Sequence, residues 1–426
     1  MLILRVCRTA PYPDEVSFLD RLPRPGEKRL AVRVTPDALR HVRAGHPWLF
    51  DHSLTSVSHD GAPGDLAVVF DQDRKFAAIG LWDPTSPMRV KVLHKGDPVT
   101  VDQTFWADRL ANAMARRQSL IARGDTTGYR CVNGENDGMP GFVLDRYDRT
   151  LVVKLYTPAW VPHLADIVRA IDSHFRPDAL VLRLARNIPA EALHGLEEGD
   201  ALIGICPTDP ILFQENGLTF EADVVHGQKT GHFLDQRDNR AYLGTLAEGA
   251  RVLDLFASNG GFTVHAAAGG AAEVVAVDLS EPTLAAAQRN LAHNRHLPAV
   301  AACEYRPVAA DAFREMDRLV HRGKKFDIVV IDPPSFAQRQ FETVRALGAY
   351  AKLTELGVRL VQPGGLLMQS SCSSRVTADE FYATVARAAG RAGRPLDELR
   401  RTGHAVDHPV TFPEGAYLKA VFAYVP

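Results

Sequence analysis

Residues Val252 to Asp278 read VLDLFASNGGFTVHAAAGGAAEVVAVD. The apolar run Val252 to Phe256 carries one acid, Asp254, and ends in the turn Ala257-Ser258-Asn259-Gly260-Gly261. A stretch of small residues, Phe262 to Ala268, follows with helical character. A glycine pair then leads into a second β-branched run, Val274 to Val277, closed by Asp278. The pattern predicts strand, glycine loop, helix and strand, one half of an open α/β sheet.

Such a unit holds a nucleotide-like cofactor. Adjacent glycines let the backbone pass close to a ligand where a Cβ would clash. The helix start behind them offers unpaired N–H groups. An acid ending the second strand, roughly 20 residues on, can accept the ribose hydroxyls, and Asp278 stands there. A dinucleotide site wants G-x-G-x-x-G so that pyrophosphate can rest on the helix N-terminus. Here the glycines are adjacent and Asp254 precedes them. That acid would repel pyrophosphate but suits a cationic sulfonium carrying an ammonium group. The expected cofactor is S-adenosylmethionine, held by Asp254, the loop residues Ala257, Ser258, Asn259 and Gly260, and Asp278. A purely structural βαβ unit with a glycine turn is the alternative.

The chain has 426 residues, 46% hydrophobic and 23% charged, which is ordinary for soluble globular proteins and suggests two or three domains. No apolar run approaches the ~20 residues of a membrane span, and the first residues are too weakly apolar for a secretory signal, so a cytoplasmic location without membrane contact is expected. Five cysteines, at 7, 131, 206, 303 and 372, are scattered without a C-x-x-C pair. They argue against a disulfide framework or zinc site. The net charge of −2 neither requires nor excludes RNA.

Residues 1–28, with Pro11, Pro13, Pro23 and Pro25, read as a flexible lead-in. Residues 29–97 read as a small β-rich module: short apolar runs (Leu30 to Val34, Leu66 to Phe70, Phe76 to Leu81, Met88 to Leu93) alternate with turn signals. Residues 98–208 read as a central α+β module, opening on a helix in which Arg109, Arg116, Arg117 and Arg123 interleave with apolar residues. A solvated face is the simpler account of those arginines, phosphate contact the bolder one. Glu135 and Asp137 sit between Gly134 and Gly138, which favours a structural turn over catalysis. Residues 209–426 form the cofactor domain.

The segment Gly227 to Arg240, GQKTGHFLDQRDNR, is unusually polar for a lead into a buried strand. Either it lines the cofactor's methionine end or Asp235, Arg237, Asp238 and Arg240 form a structural ion-pair cluster. Together with DLFASNGG, VDLSEPTLAAAQRN, FDIVVIDPPSF, SSCSS and DHPVTFPEGAYLKA, in that order, it resembles a bacterial family. This is the large-subunit ribosomal RNA cytosine-C5 methyltransferase family of the RlmI type, with an N-terminal PUA module. The resemblance runs from about residue 30 to the end. It implies that residues 29–97 are a PUA-like RNA-binding barrel, with RAGHPWLF (residues 43–50) among its matching motifs. It implies a Rossmann-like seven-stranded C-terminal sheet with an antiparallel last strand. It implicates Phe233, Asp235 and Arg237 in holding S-adenosylmethionine. The implied partner is RNA, either 23S ribosomal RNA or a ribosomal precursor particle, and a homodimer is compatible with it.

Three further residues carry the expected chemistry. Asp311 follows a third strand and can accept from the adenine N6 amine. Asp332 ends the strand Phe326 to Ile331 and opens the stiff loop Asp332-Pro333-Pro334-Ser335-Phe336, at the sheet edge where open α/β folds bind ligands. It is expected both to line the cofactor site and to meet the N3/N4 edge of cytosine. Cys372 ends another strand among serines, an unusual setting for a buried cysteine. Cytosine C5 needs a nucleophile at C6 before it can accept a methyl group, and a Cys372 thiolate would serve. Many RNA cytosine-C5 enzymes carry a second cysteine in the D-P-P loop; here Ser335 and Phe336 stand instead. Two alternatives remain at this point. One is methylation of a base nitrogen, although an N-P-P-aromatic loop is absent. The other is a non-catalytic RNA-binding assembly factor. Tyr417 and Lys419 either line the site's mouth or pack.

Overall fold

A computed structural model describes residues 18–337 and 339–426. The reading of residues 1–17 as part of a lead-in lies outside the described residues. Within 18–28, Phe18–Arg21 forms a short 3-10 turn and Leu22 is buried. The chain divides into two compact units. Among the described residues, one comprises 18–213, 222–232 and 406–412, the other 214–221, 233–405 (save 338) and 413–426.

In the second unit a seven-stranded sheet forms the frame. Its strands are β1 (Arg251–Leu255), β2 (Glu273–Asp278), β3 (Glu304–Ala309), β4 (Phe326–Ile331), β5 (Val361–Ser371), β6 (Asp397–Thr402) and β7 (Lys419–Val425). The spatial order is β3-β2-β1-β4-β5-β7-β6. The first five are parallel and β7 runs antiparallel to β5, as expected. Helices α1 (Arg237–Gly244), α2 (Gly261–Ala268), α3 (Glu281–His293), α4 (Ala312–His321), α5 (Thr343–Leu360) and α6 (Ala378–Arg391) accompany it. Parallel strands with helices on both faces are apolar almost throughout, which is why β1, β2 and β4 stand out as hydrophobic runs. Leu253, Leu255, Val329, Ile331 and Leu367 fill the core on one side of the sheet, Val252, Val330 and Met368 that on the other. The reversal of strand order between β2-β1 and β4 is a topological switch point, where ligands bind at the strands' carboxyl ends.

The first unit contains two sheets. Leu30–Val34, Leu66–Phe70, Phe76–Trp82 and Val90–Lys95 form the centre of a six-stranded sheet, close to the bounds read from sequence. Two short strands, Trp48–Leu49 and Leu54–Val57, lie at its edges. A helix, Pro36–Ala44, sits beside them; it is capped by Thr35 and stopped by Gly45 at φ 107°. A second, five-stranded sheet (Gly128–Asn133, Phe142–Tyr147, Thr150–Leu155, Ala179–Leu184, Ala201–Gly204) packs with Gln103–Ala115 and Leu164–Phe175 around Trp106, Trp160 and Phe142.

The arginine helix corrects two expectations. It ends at Ala115, so Arg116, Arg117 and Arg123 lie beyond it. Arg117 is not solvated: it is fully buried and forks onto Asp137 at 2.9 and 2.6 Å. Its remaining protons go to the carbonyls of Ala113, Arg130 and Asp407. Arg109 is half-buried and bonds the Leu93 carbonyl. Arg116 and Arg123 keep exposed heads. Asp137 and Glu135 lie in a 3-10 turn, Gly134–Asp137, as structural acids. Glu135 accepts from Trp48 Nε1 (3.2 Å) and from the Gly141 amide (3.1 Å).

Candidate active site

Four adjacent strands, β2, β1, β4 and β5, end at the same edge of the second unit's sheet. Their carboxyl ends present Asp278, the glycine loop, Asp332 and Cys372 respectively. The sheet order thus gathers residues that span more than a hundred positions of sequence.

The glycine loop is strained. Phe256 and Ser258 hold φ of 63° and 49°, a region that side chains with a Cβ rarely adopt. Gly260 sits at φ 80°, and a Cβ there would fall 2.6 Å from that of Ala287. The strain is held by hydrogen bonds on all sides. The Ser258 amide donates to Asp278 Oδ2 at 2.9 Å, Asn290 Nδ2 to the Asn259 carbonyl at 2.8 Å, and the Ala257 amide to the Val277 carbonyl at 3.1 Å. The loop therefore stands in one shape before any ligand arrives.

Asp278 has a second duty besides any ribose contact. Its Oδ1 accepts from the Ser280 amide at 2.9 Å and so fixes the entry to α3. Each carboxylate oxygen can accept twice, so acceptor capacity for hydroxyls remains. Asp311 caps α4, Oδ1 accepting from the Arg314 amide at 3.0 Å.

Asp254 carries the sharper signal. It is fully buried, Oδ2 takes the Thr263 hydroxyl at 2.7 Å, and Oδ1 has no partner. Burial raises its pKa to about 7, against the Thr263 bond, with Asp332 and Asp278 adding repulsion. An unpartnered buried carboxylate oxygen is costly and calls for a donor. A bound ammonium group, which can donate, answers that call.

The polar segment before β1 divides at Phe233. Thr230, in the first unit, bonds Asp145 Oδ2 at 2.6 Å. Phe233, Asp235 and Arg237 belong to the second unit. Asp235 is buried and accepts from the Tyr417 hydroxyl at 2.9 Å. Arg237 is buried, with Nε 3.3 Å from Asp238. Arg240 forks onto buried Glu215 at 2.7 and 2.6 Å and donates to the Phe233 carbonyl at 2.9 Å. His265 meets the same Glu215 at 3.0 Å. Of the four charges, Arg237 and Asp238 pair with each other, Arg240 pairs with Glu215, and Asp235 accepts from Tyr417.

At the reacting end, Asp332 is buried and its acidity is suppressed, chiefly by burial. Two donors converge on Oδ1, the Ser370 hydroxyl and Gln236 Nε2, the latter at 2.7 Å. Asn239 Nδ2 in turn holds Gln236 Oε1 at 2.6 Å. With Oδ1 occupied, Oδ2 is the atom left to address a ligand. Cys372 is half-buried, its Sγ 3.8 Å from the carbonyl of Pro333 in the Asp332 loop. The flanking serines are fixed, Ser371 on the Tyr350 hydroxyl (2.8 Å) and Ser373 on the Ala337 carbonyl (2.9 Å). Lys419 is buried beside them. Gln236 and Ser370 were not assigned roles from sequence, although both lie inside motifs already noted. Of the two readings of Lys419, mouth or packing, its burial matches the second.

Among the described residues no cluster of His, Cys, Asp or Glu could hold a metal, and no helix is long and apolar enough to cross a membrane.

Comparison with known proteins agrees with this geometry. Residues 149–420 match the S-adenosylmethionine-dependent methyltransferase family model, and residues 32–95 match a PUA-like domain. The chain is 47% identical to a ribosomal RNA large subunit methyltransferase of Deinococcus radiodurans, over 92% of this chain and 97% of the relative. It is 36% identical to ribosomal RNA large subunit methyltransferase I of Tolumonas auensis, over 92% and 98%. A solved SAM-dependent methyltransferase from Streptococcus mutans shares the fold, with a TM-score of 0.78 at 22% identity, covering 93% of this chain and all of that one. A cofactor loop with an acid awaiting a cation, the β3-β2-β1-β4-β5-β7-β6 sheet and these relatives converge: the chain is an S-adenosylmethionine-dependent methyltransferase with a PUA-like module, and it belongs to the ribosomal RNA large subunit methyltransferase I family.

Proposed function

We propose that the protein methylates C5 of a cytosine in large-subunit ribosomal RNA, with Cys372 as nucleophile and Asp332 as the group that engages the base. The observation that carries this reading is the pairing of Cys372 and Asp332 at the ends of neighbouring parallel strands, Cys372 Sγ resting 3.8 Å from the carbonyl that follows Asp332.

S-adenosylmethionine, when bound, supplies a methyl group on a positively charged sulfur and departs as a neutral thioether. Asp254 would answer its positive end, and the loop from Ala257 to Gly260 with Asp278 would hold its nucleoside. Asp311 faces the adenine side in this reading. Phe233, Asp235 and Arg237 would border the methionine end.

The target cytosine must be unstacked to enter such a site. Asp332 Oδ2 then meets the N3/N4 edge. Because burial suppresses ionisation of Asp332, it can donate a proton toward N3 and draw electrons from C6. The Cys372 thiolate adds to C6, forming an S–C6 bond. The C5=C6 electrons pass to C5, which bonds the methyl carbon as that carbon's bond to sulfur breaks. The C5 proton then leaves to solvent, C5=C6 re-forms and the thiolate is expelled. The PUA-like module would grip folded RNA by shape and phosphate contact. A ribosomal substrate places the reaction in the cytoplasm.

Ribosomal RNA carrying 5-fluorocytidine tests the reading. Fluorine cannot leave as a proton does, so the enzyme should stay covalently joined to the RNA on a denaturing gel, and Cys372→Ala should abolish the band. Methyl transfer to unmodified RNA by Cys372→Ala at the wild-type rate would refute the thiolate role and point to a nitrogen acceptor.

A further inference from the structure

We propose that Lys419 is a fixed positive charge that holds Cys372 in its thiolate form, a positioning role distinct from contact with RNA or cofactor. The inference rests on the Cys372 reading above and deepens it.

Lys419 begins β7, and the β5–β7 register sets it opposite Ser371, the residue before Cys372. Its side chain is 2% exposed. The Nζ donates to the carbonyl of Ser373, the residue after Cys372, and to those of Val376 (2.6 Å) and Tyr417 (3.1 Å). Three carbonyls therefore take three N–H protons. A neutral amine has two N–H groups and a lone pair, which would point at one of those oxygens. The cradle thus favours the ammonium. It also leaves that ammonium no proton to shuttle without breaking a bond, which argues for a charge rather than a general base.

A buried ammonium needs an anion nearby. Cys372 and Glu380 of α6 are the groups that favour its charged form. Burial lowers its pKa to about 8, so it stays mostly charged at neutral pH. Other ionisable groups bear on Cys372. Tyr350 of α5 is kept neutral by burial, and Asp332 from the β4 loop is itself resistant to ionisation. Thiolates form where a cation lies close and solvent is scarce. Ser371 and Ser373, each fixed by a hydroxyl bond, set the cysteine's place against that cation.

The purely structural alternative is that Lys419 only ties the 373–376 turn to β7. Alkylation of Cys372 by iodoacetamide separates the two without RNA or cofactor. The rate at the Cys372 peptide is followed by mass spectrometry from pH 5.5 to 9.5 in the wild type, Lys419→Met and Lys419→Arg. In the wild type the midpoint should fall below the ~8.5 of an ordinary thiol. Lys419→Met should raise it by a unit or more, slowing labelling at pH 7 about tenfold while leaving the high-pH plateau unchanged, and Lys419→Arg should restore much of the shift. A wild-type midpoint at or above that of a free thiol overturns the proposal, whatever becomes of the variants. So does a folded Lys419→Met with an unshifted midpoint. The outcomes separate from the catalytic reading. A lowered midpoint with no RNA adduct would remove the C5 chemistry and leave the Lys419–Cys372 pairing. An adduct with an unshifted midpoint would do the reverse.

Discussion

Gln236 and Asp332, 96 residues apart, meet through a hydrogen bond of 2.7 Å from Nε2 to Oδ1, and Ser370 donates to the same oxygen. Both donors fix the carboxyl plane and leave Oδ2 to face the ligand. Hydrogen bonds to a neutral carboxyl contribute roughly 0.5–1.5 kcal/mol. Gln236→Leu and Ser370→Ala should each lower kcat about 2- to 10-fold with a smaller change in S-adenosylmethionine affinity. Single-turnover methylation and calorimetry would check this. A variant whose kcat is untouched would show that Asp332 needs no orientation.

Asp254 makes a prediction with opposite signs for stability and binding. Its folded pKa, about 7, exceeds the ordinary 3.8, so in the cofactor-free protein the unfolded chain loses this proton first as pH rises. Stability from this group is therefore complete below pH 4 and falls as the pH rises from about 4 to 7. Asp254→Asn removes that dependence. Relative to wild type, it should gain stability at pH 8 over pH 4, by at most about 4 kcal/mol at 1.36 kcal/mol per unit. It should also weaken S-adenosylmethionine binding. In the wild type, cofactor affinity should rise from pH 5.5 to 7.5 as Asp254 ionises to meet the positive ligand. Thermal melts and calorimetry across pH would test both signs.

The Arg117–Asp137 pair predicts a pure stability effect. Both side chains are fully buried. Arg117→Met leaves the buried carboxylate with only the exposed Arg116 as a cationic partner, a change of up to about 3–5 kcal/mol. Arg116→Ala, at an exposed partner of the same acid, should cost under about 1 kcal/mol. Denaturant unfolding followed by the fluorescence of Trp106 and Trp160 would separate them. Equal losses would contradict the buried geometry.

Glu215 joins Arg240 and His265 beneath the cofactor loop. Glu215→Ala strands the Arg240 charge and loosens the residue that bonds the Phe233 carbonyl. A loss of about 3–5 kcal/mol is expected, together with a raised KM for S-adenosylmethionine. Steady-state kinetics well below the melting temperature would check the second effect.

Much of this was legible in the sequence. Parallel strands buried on both faces are continuous apolar runs, so β4, Phe326–Ile331, was delimited to the residue. Acids that close such runs, Asp278 and Asp332, announce themselves. The helix Pro36–Ala44 went unread although Thr35-Pro36 and Gly45 mark its ends; nine residues inside a β-rich stretch give a short period to detect. Arg117 could not be told from Arg116, because both lie in the turn after the helix Gln103–Ala115, where no helical period decides which faces the core. Ser370 and Lys419 come together only through the order in which strands lie side by side, and that order is not written in any local pattern.

The segment Val406–Phe412 carries a consequence for biogenesis. Its Asp407 accepts from the Arg130 amide at 2.9 Å and from Arg117, and Asn136 holds Thr411 at 2.8 Å, all within the first unit. Those partners leave the ribosome some 270 residues before the segment that completes them. Domains generally fold in the order they are translated, yet this unit stays short of a piece of its interior until almost the whole polypeptide has been made. The amino-terminal half must therefore wait, part-formed, for the last stretch of translation, and a chain terminated early would strand it in that state.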